Sequence, residues 1–334
     1  MHRGKLYVGV VCDGSGLNAT TADLNANVYE FDPAVKTFSN VLSFSLDYKS
    51  YGIKASFLPW VDTWDPLWQQ SKFGYCDHAQ AILSDIEFDG DDHMVVGILD
   101  RLGMQGGFNQ ENTSGHPAYS VISLGDVLRS TYNSVTHKYE IEQNASDGVI
   151  QTDGRNTGFG PDGGEYYHGD NALDINGSTL EAESANGALA YSPGYGNMIT
   201  SAMAPYGFFS NGVLHLDNKN GNWNKRFQII PSDFTLFLGK SNGLGDLKVR
   251  SKPAPIEIGN YVWKDLNRNG IQDPIEPPLA NITVQLIKNN VVIATAITNK
   301  NGNYIFSNDN NPSQNDYPNA FIYGIQELNE SDTF

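Results

Sequence analysis

From residue 4 to about residue 250 the chain is cut into short extended runs by Gly, Asn and Asp turns, and sustained helical periodicity is scarce. That punctuation leaves little room for anything but antiparallel sheet, because two apolar runs around a polar, Gly-containing turn close as a hairpin. Candidate strands are 6–11, 27–31, 37–46, 82–88, 94–99, 118–124, 138–142, 187–191, 197–202, 212–216, 226–230 and 244–249. The clearest hairpins lie within 83–99 and 188–202. Each is followed by another pair, 119–124 with 138–142 and 212–216 with 226–230. Four strands per unit, recurring with long loops between, is the pattern of propeller blades. The candidates make three such blades, and a ring needs about four or more to close. Further blades are therefore expected upstream, or further strands within the loops 50–77 and 147–183. With 34 Gly, 17 Tyr and 16 Phe, the composition points the same way, to an all-β protein rich in turns.

A second feature is local and more specific. Residues 265–276 match the twelve-residue calcium loop almost position for position. Side-chain oxygens fall at positions one, three and five (Asp265, Asn267, Asn269), and Gly270 occupies position six, where the backbone turns sharply. Ile271 offers its carbonyl at position seven, Asp273 serves at nine directly or through water, and Glu276 closes the shell at twelve. The set is all oxygen, which favours a hard cation, Ca2+, in a structural role. The usual scaffold is two helices. Here an extended run, 256–263, precedes the loop, and Pro277 and Pro278 follow it, which a continuing helix would not tolerate. A calcium loop on a β scaffold is the expectation. An Asx-rich turn without an ion is the plainer alternative.

The residues carry a resemblance. The stretches 84–89, 97–105, 187–191 and 239–247 resemble the β-propeller-like region of large bacterial surface proteins. The segment 257–273, with 284–286 and 298–306, resembles more specifically the B-type domain of the serine-aspartate repeat adhesins, over about 255–334. The resemblance implies two domains. A β-propeller-like domain spans 1–250, and an SdrD B-like, immunoglobulin-like β-sandwich that binds calcium spans 251–334, cut short at its C-terminal end. A stiff Pro-containing linker at 251–255 divides them. The chain then reads as a slice of a longer array.

Charge narrows the partners. With 38 acidic against 21 basic residues, the net charge of −17 repels nucleic acid and anionic lipid. No run of 18 apolar residues is present to cross a bilayer as a helix. Cys12 and Cys76 permit one disulfide, or two buried thiols.

Other constellations are weaker. Turns at 13–16, 89–92 and 170–177 are oxygen-rich, without complete ligand spacing. The glycine-rich stretches 103–107 and 158–164 lack a phosphate-loop Lys and read as plain loops. Asp85, Glu87, Asp100 and Arg101 stand at strand ends, and Glu165, Tyr166, Tyr167 and His168 share a loop. Either group could serve an axial active site, but no catalytic motif is present, and an Asp–Arg pair tying blades together is the favoured reading. Trp60, Trp64 and Trp68, with Phe57 and Tyr75, either stack on sugar rings or plug a long loop.

The expectation is an extracellular, secreted or cell-surface adhesive or structural module, calcium-stabilised and not an enzyme. Its partners are neighbouring domains of a longer surface protein, copies of itself, or a host or matrix protein or glycan. The rival is a secreted propeller-type polysaccharide hydrolase or lyase with the B-type domain as a spacer.

Overall fold

The computed structural model describes residues 2–307 apart from 17, 51–55, 64–68, 71–74, 77, 109–119, 182, 193–195, 234–238, 242, 250–256 and 289. The described residues are all-β, 45% strand against 5% helix, and the chain falls into two compact units, Met1–Val249 and Arg250–Phe334.

In the first unit β1 (Leu6–Cys12), β2 (Asn25–Asp32) and β3 (Thr37–Ser45) form an antiparallel meander. Its second turn is made by local chemistry: Asp32 Oδ1 accepts the Ala34 N–H at 2.8 Å, and Lys36 takes a φ of +57°. The next sheet contains β4 (Ala81–Phe88), β5 (Met94–Asp100), β6 (Asp126–Asn133) and β7 (Lys138–Ile141), in the order β7-β6-β5-β4. The third is the meander β8 (Ala185–Ser192), β9 (Asn197–Met203), β10 (Asn211–Asp217) and β11 (Trp223–Ile230).

The middle sheet is covered on both faces. Met94, Val96, Ile98 and Leu128 join Ala26, Val28, Leu42 and Phe44 of the first sheet in one core. Val95 and Val127, one residue out of phase, join Leu189, Met198, Leu214 and Leu216 of the third sheet in another. Hence β5 reads as an unbroken apolar run, where a strand with one wet face would alternate. At the edge, Asp85 Oδ2 accepts the Leu189 N–H at 2.8 Å, beside the register shift in β8, so a main-chain donor freed by the bulge is satisfied by the neighbouring sheet. Among the described residues these layers form no closed propeller or barrel.

Two strand expectations are corrected. Of 118–124 only Ser120 and Val121 are extended, 118 and 119 lying outside the described residues, and β7 pairs instead with β6, Lys138 opposite Asn133. Buried Asp126 and Arg129 break the apolar run of β6 and hide it from a hydrophobicity reading. Residues 244–249 make no strand, because Gly245 at φ +83° leaves the extended path. The loops 50–77 and 147–183 do hold further short strands, at Gln69–Gln70, Tyr75–Cys76, Ala172–Leu173 and Thr179–Glu181. Cys12 is a free, exposed thiol.

In the second unit β12 (Glu257–Tyr261) pairs with β15 (Asn303–Ser307), and β13 (Thr283–Lys288) with β14 (Val291–Ile297), both antiparallel. Ala296 and Phe306 are the buried centre, packed by Ile258, Val284, Leu286, Ala294 and Tyr304. The linker expected at 251–255 and any strand after 307 lie outside the described residues.

Candidate metal centre

The loop 265–276 hangs from a mouth tied by backbone. The Lys264 N–H donates to Pro277 O at 3.0 Å, Leu279 N–H to Val262 O at 2.9 Å and Val262 N–H to Gly302 O at 2.8 Å, and Trp263 bridges Pro278. Inside, acidic and amide oxygens organise the turn. Asp265 Oδ1 accepts from Arg268 and Asn269, and Asp265 Oδ2 accepts from Gly270 at 2.8 Å. Asn267 Oδ1 accepts from Asn269, and Asn269 Oδ1 from Ile271. Gly270 takes a φ of +74°, which a side chain there would resist. Asp273 Oδ2 accepts from both amides, Asn267 Nδ2 at 2.7 Å and Asn269 Nδ2 at 3.1 Å. Glu276 is buried and reaches across the ring, accepting from Leu266 N–H at 2.7 Å and Asp273 N–H at 3.2 Å. Ile271 turns its side chain out, 63% exposed, and lends the loop only main chain. All six expected positions therefore lie on one hydrogen-bonded ring, whose carboxylates keep lone pairs for a hard cation.

A denser gathering of carboxylates lies in the first unit, and local spacing does not reveal it. One oxygen from each of Asp126, Glu165, Asp170 and Glu183 lies within 4.8 Å of the others, and all four residues are buried. Backbone bonds bring them together: Gly125 N–H donates to Glu183 O at 2.8 Å and Ser184 N–H to Asp170 O at 3.1 Å. Gly125 permits the approach, since a Cβ there would stand 1.7 Å from Ala185 O. The Tyr48 hydroxyl donates to Asp126 Oδ2 at 2.5 Å. Burial pushes the Asp126 carboxyl up to about 6 and Glu183 to about 8, with Asp126 adding repulsion at Glu183. It drives Glu165 and Asp170 well above the carboxylate range, where their acidic neighbours add to the effect.

Beside them Arg129 is buried and fully engaged. Its guanidinium lies 2.7 Å from Asp89 Oδ2, 2.8 Å from Asp147 Oδ2 and 3.1 Å from the Tyr167 hydroxyl. Asn218 Nδ2 donates to the same Asp89 oxygen at 3.1 Å, and Tyr167 donates to Asn218 Oδ1 at 2.8 Å. The Asp89 turn, read as a solvated or cation-binding loop, is thus an internal ion pair joining the second and third sheets. Arg129 and Asn218 engage Asp89 Oδ2, while one ligand atom from each of Asp89, Asp91 and His93 lies within 4.8 Å of the others.

The remaining expected constellations disperse. Asp100 is buried and caps the helix α1 (Arg101–Gly106), accepting from Leu102 N–H at 2.8 Å and Gln80 N–H at 3.0 Å, so the glycine-rich stretch after residue 102 is helical rather than a plain loop. Arg101 donates to Val61 O at 3.1 Å and covers the Trp60 ring at 4.7 Å. Neither joins Asp85 and Glu87 in an acid–base set. Trp60 donates to Ala81 O, and Phe57 is buried, the pattern of a loop plug. Trp64, Trp68 and the Tyr75 side chain lie outside the described residues. Of the Glu165–His168 group, Glu165 enters the carboxylate cluster, the tyrosines enter the core, and His168 Nε2 lies 3.1 Å from Asn220 O.

Residues 256–321 match the family described as SdrD B-like domain. Across most of its length the chain is similar to Colossin-A of Dictyostelium discoideum, 30% identical over 336 residues, and to Colossin-B of the same organism, 30% identical over 324. These alignments take in 94% and 90% of this chain but only 3% and 8% of the relatives, so the chain spans a small fraction of their length. Serine-aspartate repeat-containing protein D of Staphylococcus aureus strain MW2 is 44% identical over 84 residues, 24% of this chain and 6% of its own length. No solved structure matches. The resemblance read from the C-terminal stretch therefore holds, while the long alignments, to proteins of Dictyostelium discoideum, do not confirm the bacterial reading of the whole chain.

Proposed function

We propose that the chain is a structural or adhesive module of a longer secreted or cell-surface protein, and that a calcium ion in the 265–276 loop stabilises its second unit. One observation carries this reading: the loop places Asp265, Asn267, Asn269, Ile271, Asp273 and Glu276 on a single ring whose two ends are clamped by backbone bonds. The match to the SdrD B-like domain over the same residues supports it, and supports reading the second unit as an immunoglobulin-like sandwich. The first unit, with its three- and four-stranded antiparallel sheets packed face to face, is read as propeller-like and supplies bulk and surface. Its partners are neighbouring domains, further copies, or a host or matrix protein or glycan.

The physics favours a staple over a switch. Three carboxylates in one short loop repel one another by on the order of 1 kcal/mol per close pair at partly exposed sites. Binding removes that repulsion and adds about 2.7 kcal/mol when free ion is a hundredfold above its dissociation constant. Melting curves of the chain and of Asp265→Ala with Glu276→Ala, each in calcium and in chelator, test the reading. The unaltered chain should lose a transition midpoint in chelator that the double variant lacks in both; calcium-independent melting of the unaltered second unit would defeat it.

A further inference from the structure

We infer that Asp126, Glu165, Asp170 and Glu183 form a closed, all-oxygen cage for one calcium ion inside the first unit, separate from the 265–276 loop. The carboxylates converge from three places in the chain: the start of β6, the 147–183 loop, and the residues just before β8. What distinguishes them from an ordinary acidic cluster is what they lack. Among the described residues, both oxygens of Asp170, which is fully buried, have no hydrogen-bond partner, and the same is true of Asp126 Oδ1, Glu165 Oε1 and Glu183 Oε2. A carboxylate taken out of water without donors or a counter-charge is among the costliest groups a fold can hold.

Among the described residues, nearby protein groups do not meet that cost. Tyr48 supplies one hydroxyl, to Asp126 alone. Arg129, the buried cation of this region, is spent on Asp89 and Asp147. Glu142, a fifth buried carboxylate, is already satisfied by the N–H groups of Arg129 and Tyr166. Protons shared between neighbouring carboxyls would relieve part of the repulsion. Such sharing supplies one donor per pair, whereas Asp170 needs partners at both oxygens. A cation at the centre serves all four side chains at once.

The donor set chooses the ion. Four carboxylates with no sulfur or imidazole select a hard cation over zinc or copper. Exposure of at most 3% for each residue leaves little room for the waters that magnesium retains, whereas calcium accepts a shell of six to eight oxygens drawn from the protein, with carboxylates binding through one oxygen or two. A site so enclosed should load as the chain folds and exchange slowly afterwards.

The test uses the full chain with its loop silenced by Asp265→Ala and Glu276→Ala. The protein is unfolded in denaturant with chelator and refolded in calcium. The folded fraction is dialysed against metal-free buffer, and bound calcium is counted by native mass spectrometry. One retained ion per chain is expected, and none when Asp170→Asn and Glu183→Gln are added, changes that keep side-chain volume and remove charge. No retained calcium in the loop-silenced chain would overturn the cage and leave a proton-sharing cluster in its place. So would an undiminished count in the fourfold variant. If the fourfold variant fails to fold, the loop-silenced chain alone decides. Failure of the loop reading is separable: the unaltered chain, equilibrated with calcium, would then hold no more ions than the loop-silenced one.

Discussion

The 265–276 ring and the buried carboxylate cluster bring acidic oxygens together in opposite ways. The ring draws its oxygens from twelve consecutive residues, and several of them are exposed on a turn that their own hydrogen bonds organise. The cluster draws on residues 126 to 183, brought together only once the second and third sheets and their connecting loops have packed. A local site can form before the rest of the domain and exchange its ion with solvent. A site assembled from distant segments shares the fate of the core around it. The first should therefore answer to chelator in the native state, and the second only after unfolding.

The largest expected effect falls on the side of the distant network. Arg129→Ala would leave Asp89 and Asp147 charged and buried without their partner, at a cost of about 3–5 kcal/mol, read as a fall in the denaturant midpoint of the first unit. A loss within about 1 kcal/mol would show that those carboxylates find water, and that the region is more open than the cage requires. Next, Asp265→Ala with calcium present should cost the second unit about 2–3 kcal/mol, the linkage energy of a filled site, and leave the first unit's transition in place.

A smaller effect separates burial from metal binding. Asp100 stands apart from both sites, and burial raises its carboxyl to about 7, against about 3.9 in an unfolded chain. The folded state then holds the extra proton between those values, so stability falls as pH rises from about 4 to about 7. Asp100→Asn keeps an oxygen for the Gln80 and Leu102 N–H groups. It should shrink the stability difference between pH 5 and pH 8 by on the order of 2 kcal/mol, measured in urea at both pH values. An unchanged difference would place its titration near the ordinary range. Smallest of all, Ile271→Ala should change calcium affinity and stability by less than about 0.5 kcal/mol, because only its main chain faces the ring. A large loss would mean that the exposed side chain packs against something in solution.

Legibility in the sequence follows the same division. The ring itself could be read directly, because its oxygen-bearing residues follow a fixed spacing and Gly270 marks the turn. Most strands were legible too, since their hairpins close over short polar turns. The cluster was not: Glu165 and Asp170 stand out as acidic loop residues, but nothing in one dimension joins them to Asp126 or Glu183. The same buried acids and Arg129 concealed β6, where charge interrupts the apolar run that marks a strand. The double coverage of the middle sheet shows in the unbroken run of β5, while ring closure depends on contacts that no local pattern encodes.

Limited proteolysis of the native chain, with and without chelator and read peptide by peptide, tests the division most directly. The account predicts that chelation speeds cleavage within 257–307 and leaves 81–230 unchanged until denaturant is added. Equal cleavage of 257–307 in both samples, or chelator-sensitive cleavage of native 81–230, would contradict it.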